Sequence, residues 1–576
     1  MLDHLLKGAT IVDGTGAPSF VGDVGVRDGR IVAMTAAGRT DEPALSAIDA
    51  DGLVVCPGFV HPHTHYDAQL FWDPAGSPSN VHGVTSVIGG NCSFALAPLK
   101  PEDAHYTRTM MARVEGMPLG ALEDGVPWTW ETFGEYLDAL EGRIGINAAF
   151  IAGHSALRRY VFGADANSRP ADEHTLPKLQ AALADALAAG AIGFSTDMST
   201  AHMDAEGQPI PAKGAQPDEH LALCEVVGRH EGTMLSGIFS GGSTGFSDFE
   251  LDHIAKMSAV ANRVLNWNLL VIDAKYPEKV VHQLTLSDHA RRVGGRVIAL
   301  LMPTIVPMTM SFLNYCALFL VPGWRDVMGL PVDQRMQALR SSDTRRSMDL
   351  AINSEAAGMF RGLGNFAGYR IGDTDSAANA GLTGRSVGDI ARERNTTPFD
   401  ALVDIVLNDD LRTVLWPSGS GDDAEAWAIR QSIWHDDDVL LAGSDAGAHL
   451  DRMCGGSYPT QFLADCLRGR QMMTLEQAVH AFTGKPARLF GLRDRGRVTE
   501  GAFADLVVFD PATIGTQQAR LVHDLPGGAV RLTAGSTGVH HVFVNGVETV
   551  RSGESTGAIP GTVLRSGRDT YTVTAR

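Results

Sequence analysis

The 576-residue chain has no block of consecutive basic residues, no CxxC pair and no apolar run long enough to cross a bilayer. Each absence removes a class of function. With 47 Lys+Arg against 67 Asp+Glu, for a formal net charge of -20, neither nucleic acid nor an anionic membrane is an expected partner. The longest uninterrupted apolar stretch, around Tyr315 to Val321, is too short for a transmembrane helix. The N-terminus, MLDHLLKGATIVDG, lacks the basic and apolar regions of a secretory signal, so a cytoplasmic protein is expected. The six cysteines, at 56, 92, 224, 316, 454 and 466, are dispersed, which argues against a zinc knuckle or a disulfide framework. With 44% hydrophobic and 20% charged residues, the chain can fill a large core, and disorder and collagen are excluded.

The first fifty residues alternate apolar and polar positions between turn signals, the period of short, half-buried antiparallel strands, and the last eighty repeat the style. Residues 1–57 and 497–576 are therefore expected to form one small β-sandwich. Between them the pattern changes to short apolar runs, several separated by helical stretches: VVCPGFVHPHTH, GVTSVIGGNC, INAAFIAGH, AIGFSTD, TMLSGIFS, VLNWNLLVI, RVIALLMP and VLLAGSD. Alternating strand and helix implies a parallel sheet, and eight strands is the number that closes a (β/α)8 barrel. An open doubly wound sheet is the competing architecture. The barrel is assigned to 58–310 plus 372–496, with DLRTVLW near Val414 as an accessory strand. The segment PADEHTLPKLQAALADALAAG (170–190) reads as a barrel-covering helix, and 311–371 as a helical insertion after the seventh strand, able to serve as a lid.

Three of the five residues His61-Pro62-His63-Thr64-His65 are histidines, at the C-terminal end of a buried strand, where barrel enzymes place their chemistry. Side chains two apart in a strand project to the same side, so His63 and His65 can grip one ion, and neutral imidazoles suit zinc. A histidine-rich loop without a ligand is the bland alternative. Cys92 ends the next strand beside two glycines and can reach the same mouth as a thiolate; taken alone, it reads as a small core residue. Asp445 closes an apolar strand, where a carboxylate is costly unless it meets a cation or strong donors.

The set PGFVHPHTHYD, GVTSVIGGNC, AGHSALRRYVFG, GAIGFSTD, GSDAGAH, AVHAFTGKPARLFGL and RGRVTEGAFADLVVFDP with VFVNG, in this order, resembles the amidohydrolase superfamily, and within it the D-aminoacylase branch. The resemblance implies a (β/α)8 barrel with a small β-sandwich made from both chain ends, and amide hydrolysis by metal-activated water. It matches His63 and His65 to the first metal pair, Cys92 to a metal-bridging cysteine, and Asp445 to a ligand and proton shuttle. It also matches His154 to a Gly-His motif after the third strand, where it bonds the scissile carbonyl or caps that strand. The branch carries a His-x-Arg where this sequence has Gly237 and Phe239, and a histidine and lysine where it has Asn268 and Leu270. The second metal site has thus lost both imidazoles.

These readings combine into a zinc-dependent hydrolase of a linear N-acyl amide, a small-molecule substrate, with one ion held by His63, His65, Cys92 and Asp445 and with Asp445 as base. Phe239, Leu270 and Trp267, beside the stretch Met308 to Phe312, shift the expected pocket from carboxylate-binding toward apolar, so bulky hydrophobic or aromatic amides are favoured. His202, His449 and Arg452 are further candidates for substrate contact, with a solvated loop histidine the alternative for His202 and a surface salt bridge that for Arg452; His449 and Arg452, just after Asp445, are the better placed. The alternatives are a related hydrolase of a cyclic amide, carbamate or ester, and a degenerate barrel acting as a binding protein. A symmetric oligomer is a general expectation for soluble enzymes.

Overall fold

The computed structural model describes residues 1–36, 40, 42–313, 316–418 and 421–576; Tyr315, the first residue of the long apolar stretch, lies outside them. The chain divides into two compact units, one of Met1–Thr304, Glu425–Leu450 and Cys454–Arg576, the other of Ile305–Ala424 and Asp451–Met453. Among the described residues, no helix is long and apolar enough to cross a membrane.

The larger unit contains the barrel. Its strands, in chain order, are β1 (Phe59–His61), β2 (Val84–Gly89), β3 (Asn147–Phe150, continued by Ala152–Gly153), β4 (Gly193–Met198), β5 (Met234–Phe239), β6 (Val264–Asn268), β7 (Arg296–Leu301) and β8 (Val439–Leu441). All the pairings between neighbours are parallel, and a parallel bridge between Thr64 and Ala446 brings the ends of β1 and β8 together, closing the ring. The eight runs read from the sequence are these eight strands. Their inward side chains build the core: Val60, Ile88, Ala149, Ile151, Met234, Val264, Ile298, Leu300 and Leu440 form one buried cluster. Beyond it the interior becomes polar: the Asn91 side chain donates to the Ile88 carbonyl (2.9 Å) and accepts from Ser236 Oγ (3.2 Å), which in turn accepts from Asn266 (3.3 Å). An apolar floor under a polar layer supports a site at the C-terminal strand ends.

The two chain ends share one sheet, in which Val54–Pro57 pairs antiparallel with Leu506–Phe509. Leu2–Ile11 pairs antiparallel with Phe20–Arg27, but parallel with both Ala44–Asp49 and Val54–Pro57, so the N-terminal strands are not all antiparallel as their alternation suggests. The last residues leave this sheet: Val563–Leu564 pairs parallel with Ala148 and Ala149 of β3. Only the end of β3, at Ala152 and Gly153, reaches β4, so a C-terminal wedge is built into the barrel wall.

The helix expected over 170–190 runs from Leu176 to Ala189. Pro177 sets this start, because proline is tolerated only in a helix's first turn; further in, its ring would clash with the preceding turn. Asp172 instead closes a turn, its Oδ1 accepting from the Thr175 amide (2.9 Å) and hydroxyl (2.7 Å).

The smaller unit follows β7 and is mostly helical, with Val332–Arg340, Ser342–Asn353, Val387–Arg394 and Pro398–Asn408 around Trp324, Phe366, Tyr369 and Phe399. It takes in residues 372–424 as well as the 311–371 stretch, and the accessory strand is its Leu415–Trp416, paired with Arg370–Ile371. The Trp324 indole donates to the Met348 carbonyl (2.7 Å), and Arg335 Nη1 to the carbonyls of Phe312 (2.5 Å) and Leu313 (3.0 Å).

Candidate metal centre

The loop after β1 is stitched to both neighbours. Thr64 N–H donates to the Ile88 carbonyl (3.0 Å), His65 N–H to that of Ala446 (2.7 Å), and the Ser444 hydroxyl to that of His63 (2.7 Å). This backbone holds His63 and His65 inward. His61 turns away, its ring stacked on Tyr458 at 4.6 Å. At the end of β2, Cys92 and Ser93 take left-handed backbone angles (φ 54° and 74°), and past β8 Asp445 does the same (φ 47°). Such residues cost about 1–3 kcal/mol each and collect where function fixes the backbone.

The four side chains converge. Donor atoms of His63, His65 and Cys92 lie within 4.8 Å of one another. His63 Nε2 is 3.5 Å from Cys92 Sγ and 3.1 Å from Asp445 Oδ1, and His65 Nε2 is 3.9 Å from the same oxygen. Zinc bonds of about 2.0–2.3 Å in a tetrahedron place neighbouring donors about 3.3–3.8 Å apart, so these separations are close to those of a coordination shell. The residues present fit a divalent ion.

The cavity holding them measures about 100 Å³ and is lined also by Glu115, His202, Ile238, Asn268, Leu269, Leu300, Gly443 and His449. Glu115 Oε1 is 3.5 Å from His65 Nδ1, and the Glu115 carbonyl accepts from His449 N–H (2.5 Å). Burial, with His63 nearby, pushes His65 down to about 3, leaving it in the neutral, ligating form. Burial raises the Cys92 thiol well above its ordinary value, and the carboxylates of Glu115, Asp445 and Asp197 add to this; the Asn268 amide, donating to Sγ at 3.3 Å, opposes it. For Asp445, burial pushes upward, but the bond from His63 and the charges of His63 and His65 outweigh it, holding the carboxyl below the usual range.

The other residues expected at the site divide. Asn268, His202 and His449 line the cavity; Phe239, Trp267 and Leu270 do not. Strand parity explains this: Ile238 pairs with Asn268 and faces the cavity with it, so Gly237, Phe239 and Trp267 point to the opposite side. Trp267 packs there against Phe246, ring centroids 5.1 Å apart, and Leu270 is buried with its amide on the Leu300 carbonyl (2.8 Å). Ile238, rather than Gly237, thus stands with Asn268 where second-site imidazoles were expected.

His154 is also off the cavity wall. It is fully buried, with Nδ1 2.8 Å from Thr196 Oγ1 and Nε2 2.8 Å from Glu219 Oε1. Glu219 is held in turn by Arg158 Nη1, at 2.7 and 2.6 Å. With both ring nitrogens engaged, His154 has none left for a substrate carbonyl, which corrects its assignment as a catalytic group. Arg452 belongs to the helical unit, where its Nη1 is 3.3 Å from Asp451 Oδ1. Glu115, which also lines the cavity, is marked by no sequence motif.

The chain is similar in sequence and fold to known proteins. The amidohydrolase family model matches residues 46–555. A D-aminoacylase of Alcaligenes xylosoxydans xylosoxydans is 28% identical, over 98% of this chain and 97% of its own length. An uncharacterized protein of Mycobacterium tuberculosis is 31% identical, over 88% and 84%. Among solved structures, an N-acyl-D-glutamate deacylase of Bordetella bronchiseptica, complexed with zinc and a phosphonate mimic of the tetrahedral intermediate, superposes with a TM-score of 0.64 at 25% identity, covering 98% of this chain and 100% of that one. The match spans well over half of the sequence, and the chain belongs to the amidohydrolase family.

Proposed function

We propose that this protein is a divalent-metal-dependent hydrolase of linear N-acyl amides with apolar or aromatic groups. The observation that carries the reading is the convergence of His63, His65, Cys92 and Asp445 at separations suited to one ion. These four would hold the ion, and two imidazoles, a thiolate and a carboxylate favour zinc. When bound, the ion supplies Lewis-acid activation of water. Asp445, 28% exposed and so open to the cavity, accepts the proton of the attacking water and returns it to the leaving nitrogen. The apolar preference rests on Ile238, Leu269 and Leu300, which line the cavity in place of the residues named from the sequence. Each gains about 25 cal/mol per Å² of apolar ligand surface it covers and does not compensate for desolvating an anion. Six cysteines, all buried and unpaired, suit a cytoplasmic setting.

The test is metal analysis combined with substrate profiling. About one zinc per chain is expected, with turnover of aromatic or fatty N-acyl amides that is lost on chelation and restored by zinc. Failure to retain zinc, or rapid hydrolysis of N-acetyl-D-amino acids alone, would refute the proposal.

A further inference from the structure

Asp197, at the end of β4, is a fully buried carboxylate that the metal centre does not use. It lies in register with Ile238 of β5 and so on the inward side. One oxygen, Oδ1, accepts the Ser199 N–H at 2.6 Å; the other, Oδ2, lies 2.6 Å from His202 Nδ1. His202 is fixed from two further directions, by the Phe94 ring at 5.4 Å and by the Lys213 ammonium, which donates to its carbonyl. The imidazole lines the same cavity as His63, His65, Cys92 and Asp445 and is 23% exposed. A loop histidine without a task would not need a buried aspartate, and a carboxylate at such a position is costly unless a cation accompanies it.

The geometry points to Asp197 and His202 as the oxyanion-stabilising pair of this cavity. His202 is the catalytic residue: as an imidazolium it donates a hydrogen bond from Nε2 to the scissile carbonyl oxygen while that oxygen gains charge. Asp197 is its positioning residue, accepting from Nδ1 and so fixing the ring with Nε2 toward the cavity. No proton is transferred in this contact; the bond shortens as the carbonyl becomes tetrahedral and relaxes when the carbon–nitrogen bond breaks. The pair supplies a positive group where Ile238 and Asn268 leave no second set of imidazoles.

This inference rests on the hydrolase reading, and the experiment separates the two. Zinc-loaded wild type, His202→Gln and Asp197→Asn are compared by zinc content, by calorimetric binding of methylphosphonate as a tetrahedral anion, and by kcat and KM on the best N-acyl amide of the profile. His202→Gln should keep its zinc, bind methylphosphonate at least 10-fold more weakly and lose about 10²-fold in kcat with KM little changed. Asp197→Asn should move both readings in the same direction, and it decides the matter if His202→Gln fails to fold. Methylphosphonate affinity and kcat within twofold of wild type in a zinc-loaded variant would overturn the pair's role and leave the hydrolase reading standing. A wild type that retains no zinc overturns that reading and this inference together.

Discussion

Replacing His154 by leucine separates a structural histidine from a catalytic one. The ring spans the gap between Thr196 Oγ1 and Glu219 Oε1, with 2.8 Å contacts on both sides, and no atom of it lines the metal cavity. Leucine removes a hydrogen bond to a charged group, about 1.5–3 kcal/mol, and one to a neutral hydroxyl, about 1 kcal/mol. It returns part of this through apolar burial, and Arg158 still holds Glu219, so no carboxylate is stranded. The expected loss is about 2–4 kcal/mol, read from the first transition in a urea melt, because a chain with two compact units need not unfold in one step. Arg158→Met is the harsher companion: it leaves Glu219 buried with a single partner and should cost about 3–5 kcal/mol. In both variants, the folded fraction should turn over substrate with a kcat within a few-fold of wild type. A His154→Leu protein with an unchanged melt and no activity would restore His154 to the chemistry and refute this account.

Three further outcomes follow from the same coordinates. Cys92→Ala removes one of four donors and leaves the Asn268 amide without its sulfur acceptor; zinc affinity should fall by more than about 100-fold in a competition titration, beyond the range for loss of an outer-shell partner. Gly447→Ala forces a side chain onto a backbone with φ +91° and places its Cβ 2.6 Å from the His65 carbonyl carbon; zinc content and activity should fall together. Acid should destabilise the fold through His61 and His82, which burial pushes down to about 3 and about 4. Because the unfolded chain takes up protons first as pH drops below about 6.5, stability is fully present above that pH and is lost toward the folded values, by about 2 kcal/mol per histidine between pH 6.5 and 5. A His82→Gln variant should flatten that slope in melts recorded across this range.

The barrel is legible because each of its strands is a short apolar run ended by glycine or a polar turn, the signature of a strand buried on both faces. That same property hides parity: TMLSGIFS has no alternation to say which of Ile238 and Phe239 points inward, so only the paired register with Asn268 decides it. Val563–Leu564 is two residues long and carries no periodic signal, so its place in the barrel wall is visible only in three dimensions. The helical unit's extent is hidden for another reason: helices such as Val387–Arg394 and Pro398–Asn408 have the amphipathic pattern of barrel helices, and a pattern does not say which core it serves. At the site, His63 and His65 declare themselves by spacing and Asp445 by its position at the end of an apolar strand. GFSTD offers the same sign at Asp197, but its partner, five residues on, lies in an irregular loop. Glu115 follows an ordinary amphipathic helix and has no local mark at all.

Charge ties these residues into one argument. Glu115, Asp197 and Asp445 approach a thiol whose ionisation they oppose, while burial keeps His65 neutral. Three carboxylates close to one buried sulfur are unfavourable by themselves, since each buried charge is costly without a counter-charge. A divalent cation held among His63, His65, Cys92 and Asp445 would reverse the balance, stabilising thiolate and carboxylate together. Asp197 is instead engaged by His202, whose Nδ1 is 2.6 Å from its Oδ2. On the proposed reading, an ion held by the first group would activate water and His202 would receive the developing oxyanion.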